Sequence, residues 1–253
     1  MLRTGLTSLL LAASIGACGG DDDLPDPMST PPPVQMLAPG MAMLRGEVSK
    51  VEGGPIAGAK LTMLSTAIGK DVSTTTGADG KWSLTVPGDT AVSLRVEAMG
   101  YAPTRAPTVM VGKNKVSEDM ELFMVPTARV DQLNAMGGPR AAEYAVIGVD
   151  VRATGACDPE DGQISLSPVP TAKVIYNQAN SATPDPSLTA VQAGARPAAW
   201  IVGILPPGTY YQLHFTEPFC TQKQMPMEWE GRSYTGQLSL EAKAFSHGML
   251  FVE

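Results

Sequence analysis

The sequence predicts an all-β protein: two small β-sandwich domains in tandem, set behind a disordered N-terminal tether. Three observations predict it. There are 26 Gly and 22 Pro among 253 residues, while aromatic residues make up 6% and charged residues 17%. That balance suits many short strands joined by tight turns rather than long helices. From Leu44 onward, short runs alternate apolar and polar side chains, which is the period of a half-buried strand. Clusters of turn-forming residues punctuate these runs at near-regular spacing, as a sandwich requires.

The N-terminal segment supplies an address. Residues 1–17 hold Arg3, an apolar run from Leu6 to Ile15, and Gly16-Ala17 at the end. A basic start, a short apolar run and a small-residue end read as a secretory signal peptide. The run is shorter than the roughly 20 residues that span a bilayer. Ile15-Gly16-Ala17-Cys18 resembles a bacterial lipobox. That resemblance implies that Cys18 is lipidated and becomes the first mature residue, with the membrane as partner. Stable anchoring takes more than one acyl chain, and a lipoprotein carries two or three. An ordinary signal peptide with an incidental Cys18 is the alternative.

Residues 18–43 then form an acidic, Pro-rich linker with Asp21-Asp22-Asp23 and Pro25, Pro27, Pro31, Pro32, Pro33 and Pro39. At about 3 Å per residue, some 20 extended residues reach roughly 60 Å. By the same resemblance, Gly19 is not an inner-membrane retention residue. This implies an outer-membrane lipoprotein whose folded part faces the periplasm or the exterior. Beyond Cys18 the chain has only Cys157 and Cys220. In an oxidising compartment two such residues suggest one disulfide, with two buried thiols as the alternative. The net charge of −7 excludes the basic footprint of a nucleic-acid binder.

The first domain, residues 44–125, has the clearer strands. Leu44–Val48, Lys60–Leu64, Lys81–Val86 and Ala91–Ala98 alternate, and Gly53-Gly54-Pro55, Gly77-Ala78-Asp79-Gly80 and Pro87-Gly88-Asp89 supply turns. Their order is more specific. Arg45-Gly46-Glu47-Val48 precedes Gly54-Pro55-Ile56-Ala57-Gly58-Ala59-Lys60-Leu61. Then come Thr74-Thr75-Thr76-Gly77-Ala78-Asp79-Gly80-Lys81-Trp82, Val86-Pro87-Gly88 and Gly100-Tyr101. This resembles the carboxypeptidase regulatory-like domain, which implies a transthyretin-like sandwich. The matched residues are structural, so the resemblance implies a fold and no site.

The second domain, residues 127–253, echoes the first. Ala172-Lys173-Val174 matches Ala59-Lys60-Leu61, and the run from Trp200 to Gly208 matches Trp82 to Gly88. It lacks Asp-Gly before Trp200 and Gly-Tyr after the next strand. An unrelated β-domain with similar turns is the alternative.

Chemistry-bearing motifs are few. His214 sits in an alternating run and His247 in Ser246-His247-Gly248, which reads as a turn. No nucleophile elbow, zinc helix, P-loop or dinucleotide fingerprint occurs. Asp158, Glu160 and Asp161 are weak candidates for a Ca²⁺ site, since three carboxylates offer oxygen ligands, but Asp-Pro and Asp-Gly also make an ordinary solvated turn. Met225–Tyr234 reads as a Pro-broken loop presenting Trp229 and Tyr234 to a glycan or an envelope protein; alternatively the rings cover the sandwich end.

The expectation is a lipid-anchored envelope protein that binds or scaffolds, without catalytic residues, cofactor or metal. A hydrolase with its site between the domains, or an accessory subunit of a partner enzyme, are the alternatives. A cavity joining His214 or His247 to carboxylates would favour hydrolysis. Intact mass of the membrane fraction should show loss of residues 1–17 and added acyl mass on Cys18. Cys18→Ala protein should be released or stay unprocessed; unchanged retention with normal processing would defeat the lipobox reading.

Overall fold

In the computed structural model, which describes residues 37–64, 72–168, 172–204, 211–238 and 240–253, the alternating runs become strands. Residues 1–36, which hold the expected signal peptide, Cys18 and most of the expected linker, lie outside the described residues. The first half contains β1 (Met41–Lys50), β2 (Lys60–Leu64), β3 (Ser73–Thr75), β4 (Lys81–Pro87), β5 (Ala91–Glu97), β6 (Thr104–Arg105), β7 (Val109–Met110) and β8 (Val116–Met124). A helix, α1 (Thr127–Met136), follows. The second half contains β9 (Ala145–Ala153), β10 (Gln163–Ser167), β11 (Lys173–Tyr176), β12 (Ala199–Ile204), β13 (Gln212–Thr216), β14 (Met227–Trp229), β15 (Arg232–Tyr234) and β16 (Phe245–Val252).

The all-β expectation holds, with α1 as an addition. Pro126, lacking an N–H, precedes the helix start where a free N–H would be unpaired in any case. Val130 and Leu133, three apart, bury one stripe of it against β9 and β12.

In the first half, sheet β4-β1-β8 faces β2 and β5 across one core. Leu44, Trp82, Leu84 and Leu122 point in from one side, and Leu61, Met63, Leu94 and Val96 from the other. In the second half, β12, β9 and β16 face the pair β10–β13. Ile147, Ile201 and Leu250 meet Ile164, Leu166, Leu213 and Phe215 there. The period-two pattern produces both sandwiches, because alternate residues share a face.

The same pairing scheme occurs in both halves. β1 runs antiparallel to β4 and parallel to β8; β9 runs antiparallel to β12 and parallel to β16. β2 pairs antiparallel with β5, as β10 does with β13. Gly46 lies opposite Trp82 and Gly148 opposite Trp200. The tryptophan echo in the sequence therefore has a structural counterpart. The echo of Lys60 by Lys173 is displaced by one strand: β10, not β11, is the counterpart of β2. Alternation alone cannot tell one short strand from its neighbour.

The halves are not separate beads. Residues 37–253 form one compact unit. An eleven-stranded sheet threads through both, with β16 parallel to β9 on one side and to β6 on the other. Residues of β16 are buried throughout. Its Met249 and Phe251 enter the first core, while Leu250 and Val252 enter the second. A third cluster under α1 holds Trp200 and Phe245 with Val130 and Leu133. The Trp200 indole N–H donates to Asn177 Oδ1 at 2.7 Å, and Asn177 Nδ2 donates to the Pro197 carbonyl at 2.7 Å.

Cys157 and Cys220 are bridged, with Cα atoms 5.4 Å apart, as the cysteine arithmetic suggests. The bridge links the turn after β9 to the turn after β13. Closing a loop of this length stabilises by roughly 4 kcal/mol in the chain-entropy picture.

A methyl group on Gly148 would lie 2.5 Å from the Phe245 ring and 3.3 Å from the Trp200 ring. Gly148→Ala should therefore destabilise the protein by about 1–3 kcal/mol. Urea unfolding checks this, and an unchanged midpoint would contradict the packing described.

Candidate functional site

The feature best suited to function is a cavity of about 530 Å³ at the open side of the second sandwich, a volume typical of small-ligand pockets. One wall is β13 with Gln212, Leu213 and His214. Another is the edge of β16 from His247 to Leu250. The irregular segment from Tyr234 to Leu238 and the stretch Gln222–Met225 close the sides. Among the described residues, the lining holds no carboxylate and no thiol. Lys223 in the lining is paired with Glu253. Among the described residues, the side chains of Gln212, His214, Gln224 and Gln237 have no hydrogen-bond partner, so four polar groups are available. Gln222 is committed. Its Oε1 accepts the Phe215 N–H at 2.7 Å and its Nε2 donates to the Leu213 carbonyl at 3.0 Å.

A second polar cluster lies where β8 meets β9 and β16. Asp150 and His247 side chains are 2% and 3% exposed, with Oδ2 and Nε2 3.4 Å apart. This separation is too long for a strong hydrogen bond. His247 lies under the Phe123 ring, centroids 4.5 Å apart. Arg152 and Arg196 each reach Asp150 Oδ2 at 3.5 Å. They also reach Glu121 on β8 at 3.2 and 2.8 Å. Burial pushes the Asp150 carboxyl up, but His247, Arg152 and Arg196 outweigh it and hold the group below the ordinary carboxylate range. Glu121 is lowered in the same way: burial opposes, and Arg196 and Arg152 prevail. A separate bridge between the halves runs from Arg95 and Arg105 to Glu241.

The histidines differ from expectation in one respect. His214 is on β13, in an alternating run as read. His247 is not at a turn: it is an interior residue of β16. Ser-His-Gly carries turn chemistry locally, but pairing on β9 and burial against Phe123 override it. The cavity touches both histidines, yet the carboxylate partner of His247 does not line it.

Met225–Tyr234 is not an open loop either. β14 and β15 form a hairpin around Glu230 (φ 50°) and Gly231 (φ 75°), the left-handed pair a tight turn requires. Trp229 and Tyr234 pack on Phe251, at ring centroid distances of 5.7 and 5.2 Å. Trp229 is half-buried and Tyr234 buried. The Tyr234 hydroxyl accepts from Arg232 Nε at 2.9 Å. Arg232 also donates to Ser117 Oγ at 2.8 Å and the Glu118 carbonyl at 2.6 Å, pinning the hairpin to β8. Tyr234 nevertheless contributes to the cavity wall.

Asp158, Glu160 and Asp161 fold as a turn in which Asp158 Oδ1 accepts the Glu160 N–H. Among the described residues no group of three or more His, Cys, Asp or Glu is arranged to hold a metal ion. No helix among them is long and apolar enough to cross a membrane. The amides lining the cavity carry no sequence signature, because a lone Gln becomes functional only by what surrounds it.

Residues 43–122 match the family profile of the carboxypeptidase regulatory-like domain, in agreement with the resemblance read from residues 44–125. No curated protein matches the chain. Among solved structures, hydroxyquinol 1,2-dioxygenase from Pseudomonas putida shares 13% identity at a TM-score of 0.28, covering 36% of this chain and 58% of its own. The chain thus spans less than two thirds of that enzyme. A DUF3823 family protein from Parabacteroides merdae shares 10% identity at a TM-score of 0.26, covering 70% of this chain and 80% of its own. A streptococcal ancillary pilin shares 10% identity at a TM-score of 0.27, covering 85% and 63% respectively. Likenesses at this level carry no functional argument.

The lowered carboxyls predict acid sensitivity. A group whose pKa is lower folded than unfolded stabilises the fold above its unfolded value, near 3.9 for Asp, and loses that contribution as pH falls through the folded value. Stability should therefore drop below about pH 4. Asp150→Asn should destabilise at pH 7, toward the low end of about 3–5 kcal/mol because Arg196 is half exposed. It should also flatten the acid limb. Urea midpoints at pH 7, 5 and 3 test both; a variant with wild-type pH dependence would refute the assignment.

Proposed function

We propose that the chain is a lipid-anchored cell-envelope protein that binds or scaffolds and turns over no substrate, its ligand a glycan or an envelope protein. The observation that carries the role is the make-up of the cavity wall. Gln212, His214, Gln224 and Gln237 offer hydrogen-bonding ends, and among the described residues no carboxylate or thiol shares the lining with them. General acid–base catalysis and nucleophilic catalysis need a positioned base or an activated nucleophile next to the reacting atoms. His247 reaches the cavity, but its carboxylate partner Asp150 lies inside the junction of β8, β9 and β16 and does not line it. Amide-rich walls instead suit reversible recognition of uncharged polar groups.

The address rests on two features. The Cys157–Cys220 bridge is what an exported chain retains. The lipobox-like Ile15–Cys18 supports an anchor on Cys18, and the Pro-rich linker supports a folded part held away from the bilayer. An outer-membrane site follows from Gly19 by the lipoprotein resemblance.

Fractionation of cells making the full chain tests the reading. The protein should partition with outer membranes, be extracted only by detergent, and carry an oxidised Cys157–Cys220 pair. Panels of peptide, ester and glycan substrates should show no turnover. Robust turnover abolished by His214→Ala, a half-buried position outside the cores, would overturn the non-enzymatic role. A protein recovered in the soluble cytoplasmic fraction with free thiols would overturn the address.

A further inference from the structure

We propose that the cavity between β13 and β16 is a strand-addition site for a short, uncharged, extended peptide segment. The inference rests on the reading of this chain as a binding protein and names the ligand class of that cavity.

The argument begins with the outer edge of β16. β6 covers this edge at Phe245 and Ser246. Farther along, residues 221–223 cover it: Lys223 N–H donates to the Phe251 carbonyl at 2.8 Å, and Thr221 and Glu253 exchange bonds of 2.7 and 3.0 Å. Between these two coverings, His247–Leu250 face the cavity. The bonds made by Phe245, Phe251 and Glu253 show which main-chain groups point outward. By the two-residue period, those of Met249 point the same way. Among the described residues, no hydrogen bond reaches the Met249 main chain on that edge, although Met249 is only 9% exposed. Buried main-chain groups are nearly always paired. A cavity opening on an unpaired stretch of strand is therefore where a ligand with peptide groups gains most.

The gap is built by the chain. After Ala106 comes Pro107, which has no N–H to continue a ladder. The chain leaves β16 there, and β5, paired with β6 at Arg95 and Val96, pairs with β7 at Ala91 and Val92. The Thr108 carbonyl is taken by the Thr235 N–H at 3.1 Å.

The facing wall behaves in the same way. β13 pairs with β10 on one side only. On its other side the Gln222 side-chain amide takes one N–H and one C=O, as the peptide group of an adjacent strand would. That edge thus already accepts a peptide-like group beside the cavity.

The lining selects the ligand's chemistry. With Lys223 neutralised by Glu253 and no carboxylate present, a charged segment finds no partner. Met225, Met249 and Leu250 share the lining with Gln212, Gln224 and Gln237, which suits a strand alternating apolar and polar side chains. A sugar would want an open aromatic face. Tyr234 is buried against Phe251 with its hydroxyl taken by Arg232, and it is the aromatic side chain in the lining apart from the histidines. The stretch His247–Leu250 spans about 13 Å at about 3.3 Å per residue and turns only alternate main-chain groups outward, so the pairing is short and the affinity modest, about micromolar to millimolar.

The test uses the mature, oxidised chain and a capped hexapeptide library lacking Asp, Glu, Lys, Arg and His. The same library N-methylated at alternate residues is the control. The readout is amide shifts and amide exchange by NMR. The plain library should shift Met249 and Leu213 and slow exchange at Met249 by about tenfold or more. The N-methylated library should not. Gln224→Trp and Gln237→Trp, at exposed positions that leave the cores untouched, should each weaken binding by about tenfold. Equal effects from both libraries, or no shift at Met249 with the plain one, would overturn the proposal. Shifts at the same amides with chitotetraose but not with peptide would also overturn it, in favour of a glycan site. None of these results alters the fractionation and turnover outcomes, so a failure here is distinguishable from failure of the binding reading itself.

Discussion

Strand Phe245–Val252 is buried on both faces, and much of the chain is arranged to cover it. Its odd-numbered side chains enter the first core and the α1 cluster; its even-numbered ones enter the second. A strand apolar on both faces cannot stand at a sandwich surface without exposing one of them. The first half therefore serves as the second layer for one face of β16, and the β10–β13 pair serves for the other. The closing strand of each half lies parallel to its opening strand, β8 on β1 and β16 on β9. This places the last residues of the chain in the middle of the sheet rather than at an edge.

This arrangement explains where the charges sit. Glu121 on β8 meets Arg152 and Arg196 from the second half, and Glu241 meets Arg95 and Arg105 from the first. Partly exposed pairs of this kind each contribute under about 1 kcal/mol, so they do not hold the halves together by strength. Asp150 is different because it is buried. Leaving it without His247 and the two arginines would strand a charge in apolar surroundings. The cluster ties β8 to β9 and β16 through Glu121 and Asp150 Oδ2, while Asp150 Oδ1 and both His247 ring nitrogens are buried without a hydrogen-bond partner among the described residues.

The candidate site follows from the same constraint. β16 lies inside one long sheet, and its partner on the β6 side covers only Phe245 and Ser246. Where the chain turns away at Pro107, the β16 edge opens and the cavity forms against β13. Among the described residues, the polar groups there include four glutamines and both histidines, while Asp150, the carboxylate beside His247, lies inside the junction.

Period-two alternation and turn chemistry were enough to place β2, β4 and β5 to within one residue, whereas β1 extends three residues before and two after the alternating run Leu44–Val48. The ordered Gly, Pro and Asp-Gly positions carried the likeness over residues 43–122. Cysteine count anticipated the Cys157–Cys220 bridge, since beyond Cys18 each of the two thiols has one possible partner. These are local or combinatorial properties, written in neighbouring residues or in a simple tally. What tertiary structure alone decided is everything that depends on who lies across the gap. His247 reads as a turn residue beside Gly248 and becomes a buried strand residue because β9 pairs with it and Phe123 covers it. Glu230-Gly231 becomes a hairpin because Arg232 finds acceptors on β8. β10 rather than β11 takes the place of β2 because pairing, not motif spelling, sets strand equivalence. The cavity could not be read at all. Its walls come from five separate stretches of chain, and a glutamine acquires a role only when distant segments leave its amide unpaired.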